Sequence, residues 1–179
     1  SALNNNIFWA TNNNTGGTRD PIRYYDTVTW TTFNPLVTST DRLQQCLIIL
    51  PYKDRLLCIN TWEGTTLNNA VNFPQRIRWS QNGTPLPSVD ANAWREDIVG
   101  RGGYIDAPTN EQITGADYVK DVLIIKCEKS SWKVVYTGNE VLPFVLQKIN
   151  TELGCESTFS LVSFDRGVFA VGNYGITTD

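Results

Sequence analysis

The densest acidic group near a loop is Glu96-Asp97 with Asp106, and paired carboxyls are the one ordinary acid–base device open to this chain. Its 179 residues contain no histidine, which removes Ser-His-Asp and Cys-His nucleophiles, imidazole bases and the commonest zinc ligand together. If Glu96, Asp97 and Asp106 converged in one cleft, the chemistry would be glycoside hydrolysis, with one carboxyl protonating the leaving oxygen and another acting as base or nucleophile. Neighbouring acids on a short exposed helix are usually just its solvated face, and the separation of the carboxyls is not written in the sequence. Cys46, Cys58, Cys127 and Cys155 form no C-x-x-C pair, so the sequence points to no metal site and leaves two disulfides and buried free thiols both open. Gly100-Arg101-Gly102-Gly103 lacks the Lys-Ser/Thr ending of a phosphate loop and reads as a loop of unusual freedom. No cofactor is expected.

Six tryptophans in one small chain suggest binding rather than catalysis. Flat aromatic faces cover the apolar patches of sugar rings while neighbouring Asn, Thr and Arg bond the hydroxyls. Trp94, Arg95, Arg101 and Tyr104 lie on short elements and loops, where binding residues concentrate, and form the first candidate glycan-contact surface. Trp62 and Trp132, at the ends of hairpin strands, come second, while Trp30 and Trp79, inside strands, read as core. With 17 Asn and 20 Thr but only 18% charged residues, neutral hydrogen-bonding groups make up the solvated surface. The net charge is −3 and the basic residues are scattered, which argues against nucleic acid as a partner. No apolar run reaches the roughly 18 residues of a membrane span, so no direct membrane insertion is expected. Asn13-Asn14-Thr15 and Asn82-Gly83-Thr84 fit the glycosylation pattern, and neither is assigned a role. There is no methionine, which predicts that Ser1 follows a cleavage or lies within a longer precursor.

The elements that must carry these residues are mostly strands. Alternation over 24–33 predicts one strand, ended by Asn34-Pro35. Runs at 45–52 and 55–62 around Lys53-Asp54 predict a hairpin in which Tyr52 faces Arg55, so that Cys46 opposes Thr61 and not Cys58. A short strand at 76–79 precedes Asn82-Gly83. Asp90 and Gly100 then bound a short helix at about 91–99. A second hairpin joins 121–128 to 132–137, and a third joins 158–164 to 168–173. Between them Val141, Val145, Ile149 and Leu153 recur every fourth residue, with Asn139 as cap and Gly154 as stop, which predicts an amphipathic helix at about 140–153. The reading is therefore an α+β fold: a partly flexible arm over 1–20, then a single domain over 21–179 with an antiparallel sheet covered by that helix. A galectin-like β-sandwich is the alternative.

Thr31-Thr32-Phe33-Asn34-Pro35 and Thr40-Asp41-Arg42-Leu43, leading into an aliphatic strand, resemble the protease-released head domain of the rotavirus outer-capsid spike protein. The stretch 122–126, a short turn, and Lys133-Val134-Val135-Tyr136-Thr137-Gly138-Asn139-Glu140 are similar in order to the hairpin and loop late in that head. In the well-known rotavirus group that head is a galectin-like β-sandwich, so the helix expected at 140–153 implies a divergent, group B-like rotavirus. The resemblance implies a non-enzymatic attachment domain on the virion outer capsid, extracellular, freed by trypsin-like cleavage from the rest of the spike and engaging host cell-surface glycans or another receptor. It transfers no site residue. Two other readings stand beside it: a carboxylate-dependent secreted glycosidase or effector enzyme, and a structural shielding domain that binds no glycan.

Overall fold

A computed structural model describes residues 7–12, 19–164, 167–172 and 175–178, and among these the chain is built almost wholly of antiparallel strands. It divides into two compact units, 1–106 and 107–179. Most of the arm expected over 1–20, including Asn13, lies outside the described residues.

Unit 1 holds two meanders. The first is β1 (Phe8–Ala10), β2 (Arg23–Tyr25) and β3 (Trp30–Thr32); the second is β4 (Arg42–Tyr52), β5 (Arg55–Gly64), β6 (Val71–Trp79) and β7 (Gly103–Asp106). Lys53 and Asp54 both take positive φ, 48° and 57°, the twist that a two-residue hairpin turn requires. They set Tyr52 opposite Arg55 and Cys46 opposite Thr61, as the sequence predicts. Pro51 is tolerated because β4 is an edge strand. Over one face of this sheet Ile22, Phe33, Val37, Leu43, Cys46, Leu56, Cys58, Ala93 and Trp94 form a closed apolar core.

Unit 2 holds β8 (Ile113–Val119), β9 (Val122–Cys127), β10 (Ser131–Tyr136) and β11 (Phe144–Asn150) in one sheet, and β12 (Leu161–Phe164), β13 (Gly167–Gly172) and β14 (Gly175–Thr178) in another. Val168 and Ala170 point inward from β13, while Phe169 and Val171 stay exposed on its other face with Val162 and Phe164 of β12.

The α+β reading is overturned. Among the described residues the only helical element is a three-residue 3-10 turn, Thr158–Ser160. The helix expected at 140–153 is a loop followed by β11, paired along β10. Asn139 makes the side-chain bond expected of a helix cap, accepting from the amides of Val141 at 2.8 Å and Leu142 at 3.3 Å, but the bond closes a hairpin loop, locked by the Thr137 amide donating to the Pro143 carbonyl at 2.9 Å. Pro143 biases Leu142 away from helical ψ, and β-branched Val145 and Ile149 fit a pleated strand. Period four and period two coincide at every fourth residue, so the stripe alone could not separate them.

The helix expected at 91–99 is a chain of turns. In a helix the Glu96 amide would bond Asn92; here it donates to the Val37 carbonyl at 3.0 Å, and the ladder never starts. The strand expected over 24–33 is broken by Asp26, whose carboxylate accepts from the Val28 and Thr29 amides at 3.0 and 2.8 Å and folds β2 back onto β3.

All four cysteines are free and buried. Burial pushes the Cys127 thiol up to about 12. On β9, Lys126 is enclosed, its Nζ donating to Ser131 Oγ at 2.8 Å and to the Leu153 carbonyl at 3.3 Å. Desolvation lowers this ammonium to about 8 from 10.5. Above pH 8 the folded state releases a proton that the unfolded state keeps to near 10.5, so stability rises with pH in that window. Cys127 acts oppositely, its contribution being lost only as pH climbs from 9 toward 12. Denaturant melts should therefore show unit 2 gaining stability between about pH 8 and 9, and Lys126→Met should flatten that rise. An unchanged pH slope in the variant would remove Lys126 as its source.

Candidate functional site

Arg76 and Arg78 project from one face of β6, two residues apart, with Ile77 buried on the other. Directly across on β7 stand their register partners, Asp106 opposite Arg76 and Tyr104 opposite Arg78. On the other side lies β5, where Cys58 pairs with Arg78. Counted by alternation from Cys58, Glu63 should face away from the arginines. The strand is irregular between Ile59 and Thr61, with Asn60 at φ 54°, and this kink inverts the alternation and turns Glu63 toward them.

The result is a buried ionic lattice. Glu63 takes Arg78 Nε at 2.8 Å, Arg78 Nη2 at 2.7 Å, Arg76 Nη1 at 3.1 Å and the Thr61 hydroxyl at 2.7 Å. Arg78 Nη2 also reaches Glu96 at 2.8 Å, and Arg76 makes a two-pronged pair with Asp106 at 2.8 and 2.9 Å. The Arg76 guanidinium is sandwiched between the Phe73 ring at 3.9 Å and the Tyr104 ring at 3.7 Å. Burial alone would raise the Glu63 carboxyl, but the hydrogen bonds and charge of Arg78, with help from Thr61 and Arg76, outweigh it and hold the group below the usual carboxylate range. One donor is left over: Arg78 Nη1 is buried without a hydrogen-bond partner.

Above the lattice a groove of about 470 Å³ opens to solvent, lined by Glu63, Arg76 and Glu96 at its floor and by Thr38, Asp41, Thr65, Asn69 and Phe73 around it. Hydroxyl, amide, carboxylate and aromatic groups thus meet Val37 and Val71 in one concavity. No family model matches the chain, and no curated protein matches it. Among the described residues no cluster of His, Cys, Asp or Glu is placed to hold a metal ion.

The four residues expected to form a contact surface do not assemble into one. Trp94 is fully buried, edge-on to Phe33 at 5.7 Å and donating its indole N–H to the Pro85 carbonyl at 2.8 Å; it belongs to the core. Arg95 is tied to Asp97 by two bonds of 2.6 Å. Arg101 is held by Asp90 and Gln81. Only Tyr104, 40% exposed, joins the lattice, stacked on Arg76. Trp62 and Trp132 are buried, the latter bonding Ser130 in its turn at 3.0 Å; Trp79 is core as expected, and Trp30 is exposed.

The three acids considered for catalysis also part company. Glu96 and Asp106 each hold an arginine of the lattice, while Asp97 pairs with Arg95 on the surface. Sequence reasoning missed Glu63, Arg76 and Arg78. Arg-Ile-Arg within a strand was the available signal, since two cations on one face beside a buried Ile demand carboxylates nearby.

Proposed function

We propose that this chain is a non-enzymatic attachment domain of a virion spike, a divergent relative of the rotavirus head, released from its precursor by proteolysis and engaging a host glycan or other receptor at the outer capsid surface. The observation that carries this reading is the groove of unit 1, whose rim offers neutral hydroxyl and amide groups beside an aromatic ring over a fixed ionic floor. A floor whose charges are already paired is rigid, and rigid polar groups bind without loss of side-chain freedom. The enzyme reading draws no such support. Glycoside hydrolysis needs two carboxyls aimed at one bond, whereas Asp97 pairs elsewhere and Glu96 and Asp106 are each engaged by an arginine.

The test is binding of the purified domain to intestinal epithelial cells, alongside turnover assays on common glycosides. Saturable binding, reduced by Asn69→Ala or Thr65→Ala with unchanged melting, is the expected result. Absence of cell binding would favour a shielding role and overturn the proposal, as would glycoside turnover lost on Glu96→Gln.

A further inference from the structure

The sheet of β12, β13 and β14 is apolar on both faces. Leu161, Val168 and Ala170 point to one side, where Leu161 packs beside β8: a Cβ on Gly115 would lie 3.5 Å from its Cδ2. Val162 and Phe164 of β12, Phe169 and Val171 of β13 and Ile176 of β14 point to the other, each between 39% and 75% exposed. The register makes these five neighbours. Val162 stands opposite Phe169, Val171 opposite Ile176, and the Phe164 and Phe169 rings stack at 4.3 Å. An antiparallel sheet with one face in water normally alternates apolar and polar side chains along each strand. Here the outward side chains are apolar save Thr178 at the end of β14, the pattern of a sheet covered on both sides.

The five side chains expose about 500 Å² of contiguous apolar surface, the scale at which a patch marks an interaction site. Two such faces laid together remove about 1,000 Å² from water, the least that a specific interface between proteins needs. The chemistry of the patch favours a second copy over a different partner. Among the described residues of the three strands no side chain is charged, so nothing there would steer a charged protein or hold an anionic lipid surface. A two-fold axis needs no such guide, because it sets the patch against itself and brings no like charges together. We propose that unit 2 pairs with a second copy of this chain through the outward faces of β12, β13 and β14, packed sheet on sheet with β13 over β13 and Phe169 at the centre. The strands of the two copies would run within about 30° of one another, the angle that sheet twist sets. The stacked Phe164 and Phe169 rings are already ordered, so they lose little freedom on association.

Sedimentation of the full chain over a concentration series tests this. A reversible monomer–dimer equilibrium is expected, half-complete at micromolar concentration because the area lies at the small end of the specific range. Added salt should not weaken it, since no ion pair contributes. Val162→Glu and Ile176→Glu, at the two most exposed positions of the patch, should stay folded in thermal melts and weaken association at least about tenfold, because each would bury an unpaired carboxylate in the contact. Val141→Glu, at an equally exposed valine in the loop before β11, should leave association unchanged. A chain that stays monomeric well above micromolar concentration overturns the proposal. So do dimers untouched by both patch variants, equal weakening by Val141→Glu, or growth beyond the dimer, which a closed face-to-face pair forbids.

Discussion

Glu63→Gln should destabilise unit 1 by about 3–5 kcal/mol, the cost of removing one partner from a buried ion pair and leaving the other charge uncompensated. The substitution keeps the side chain's shape, so its effect isolates charge. Among the described residues Glu63 is the one carboxylate shared by Arg76 and Arg78, and its side chain is only 6% exposed, so water cannot replace it. Glu96 and Asp106 would each still hold one arginine, but they are 28% and 46% exposed and compensate less. The same residue fixes an acid dependence. Its carboxyl is held below its ordinary 4.5, so its contribution is present above that pH and is lost as pH falls through the lower folded-state value. Denaturant melts at neutral pH should show the full loss in the variant, with wild type and variant converging under strong acid. A neutral-pH difference within about 0.5 kcal/mol, the range of ordinary surface substitutions, would show that the lattice carries no net stability.

The visibility of such features in the sequence followed the locality of the interactions that create them. The Lys53-Asp54 hairpin and its register were legible because a two-residue turn and alternating side chains determine both. The hairpins β9–β10 and β12–β13 were legible in outline because short polar stretches, Lys129-Ser130-Ser131 and Asp165-Arg166-Gly167, separate β-rich runs, although Ser131 itself joins β10 opposite Lys126. The helix at 140–153 was misread because Asn139 makes one local bond that serves a helix start and a loop equally, and only pairing with β10 decides between them. The turns at 91–99 depend on Val37, a residue far away in the chain, capturing the Glu96 amide. Glu63 was hidden more deeply. Period-two counting places it on the wrong face of β5, and only the left-handed Asn60 corrects the count. The candidate site was therefore the least legible part, because it is assembled by a strand defect and by cross-strand partners rather than by any motif.

Trp94→Ala should cost about 3–5 kcal/mol, the scale of deleting a fully buried aromatic, whereas Trp30→Ala should change stability by about 0.5 kcal/mol or less. Sequence reasoning ranks these the other way, since Trp30 sits within an alternating run and Trp94 on the short helix expected at about 91–99. The structure reverses them for identifiable reasons. Trp30 ends a hairpin arm, with 53% of its surface exposed and its ring tilted against Tyr25 at 5.2 Å. Trp94 enters the core between Phe33 and its cluster, and its indole N–H satisfies the Pro85 carbonyl. Gly102 packs against its backbone so closely that a Cβ there would lie 2.5 Å from the Trp94 carbonyl carbon. Alanine would open a cavity that these neighbours cannot fill and strip the Pro85 carbonyl of its donor. Trp94→Phe should recover most of the apolar packing and retain a deficit of about 1–3 kcal/mol for the unpaired carbonyl. Denaturant melts of the three variants separate packing from hydrogen bonding. If Trp94→Ala melts like the wild type, the turns over 91–100 are not anchored in the core; they would then be free to move, and Arg95 and Arg101 would return as candidates for receptor contact.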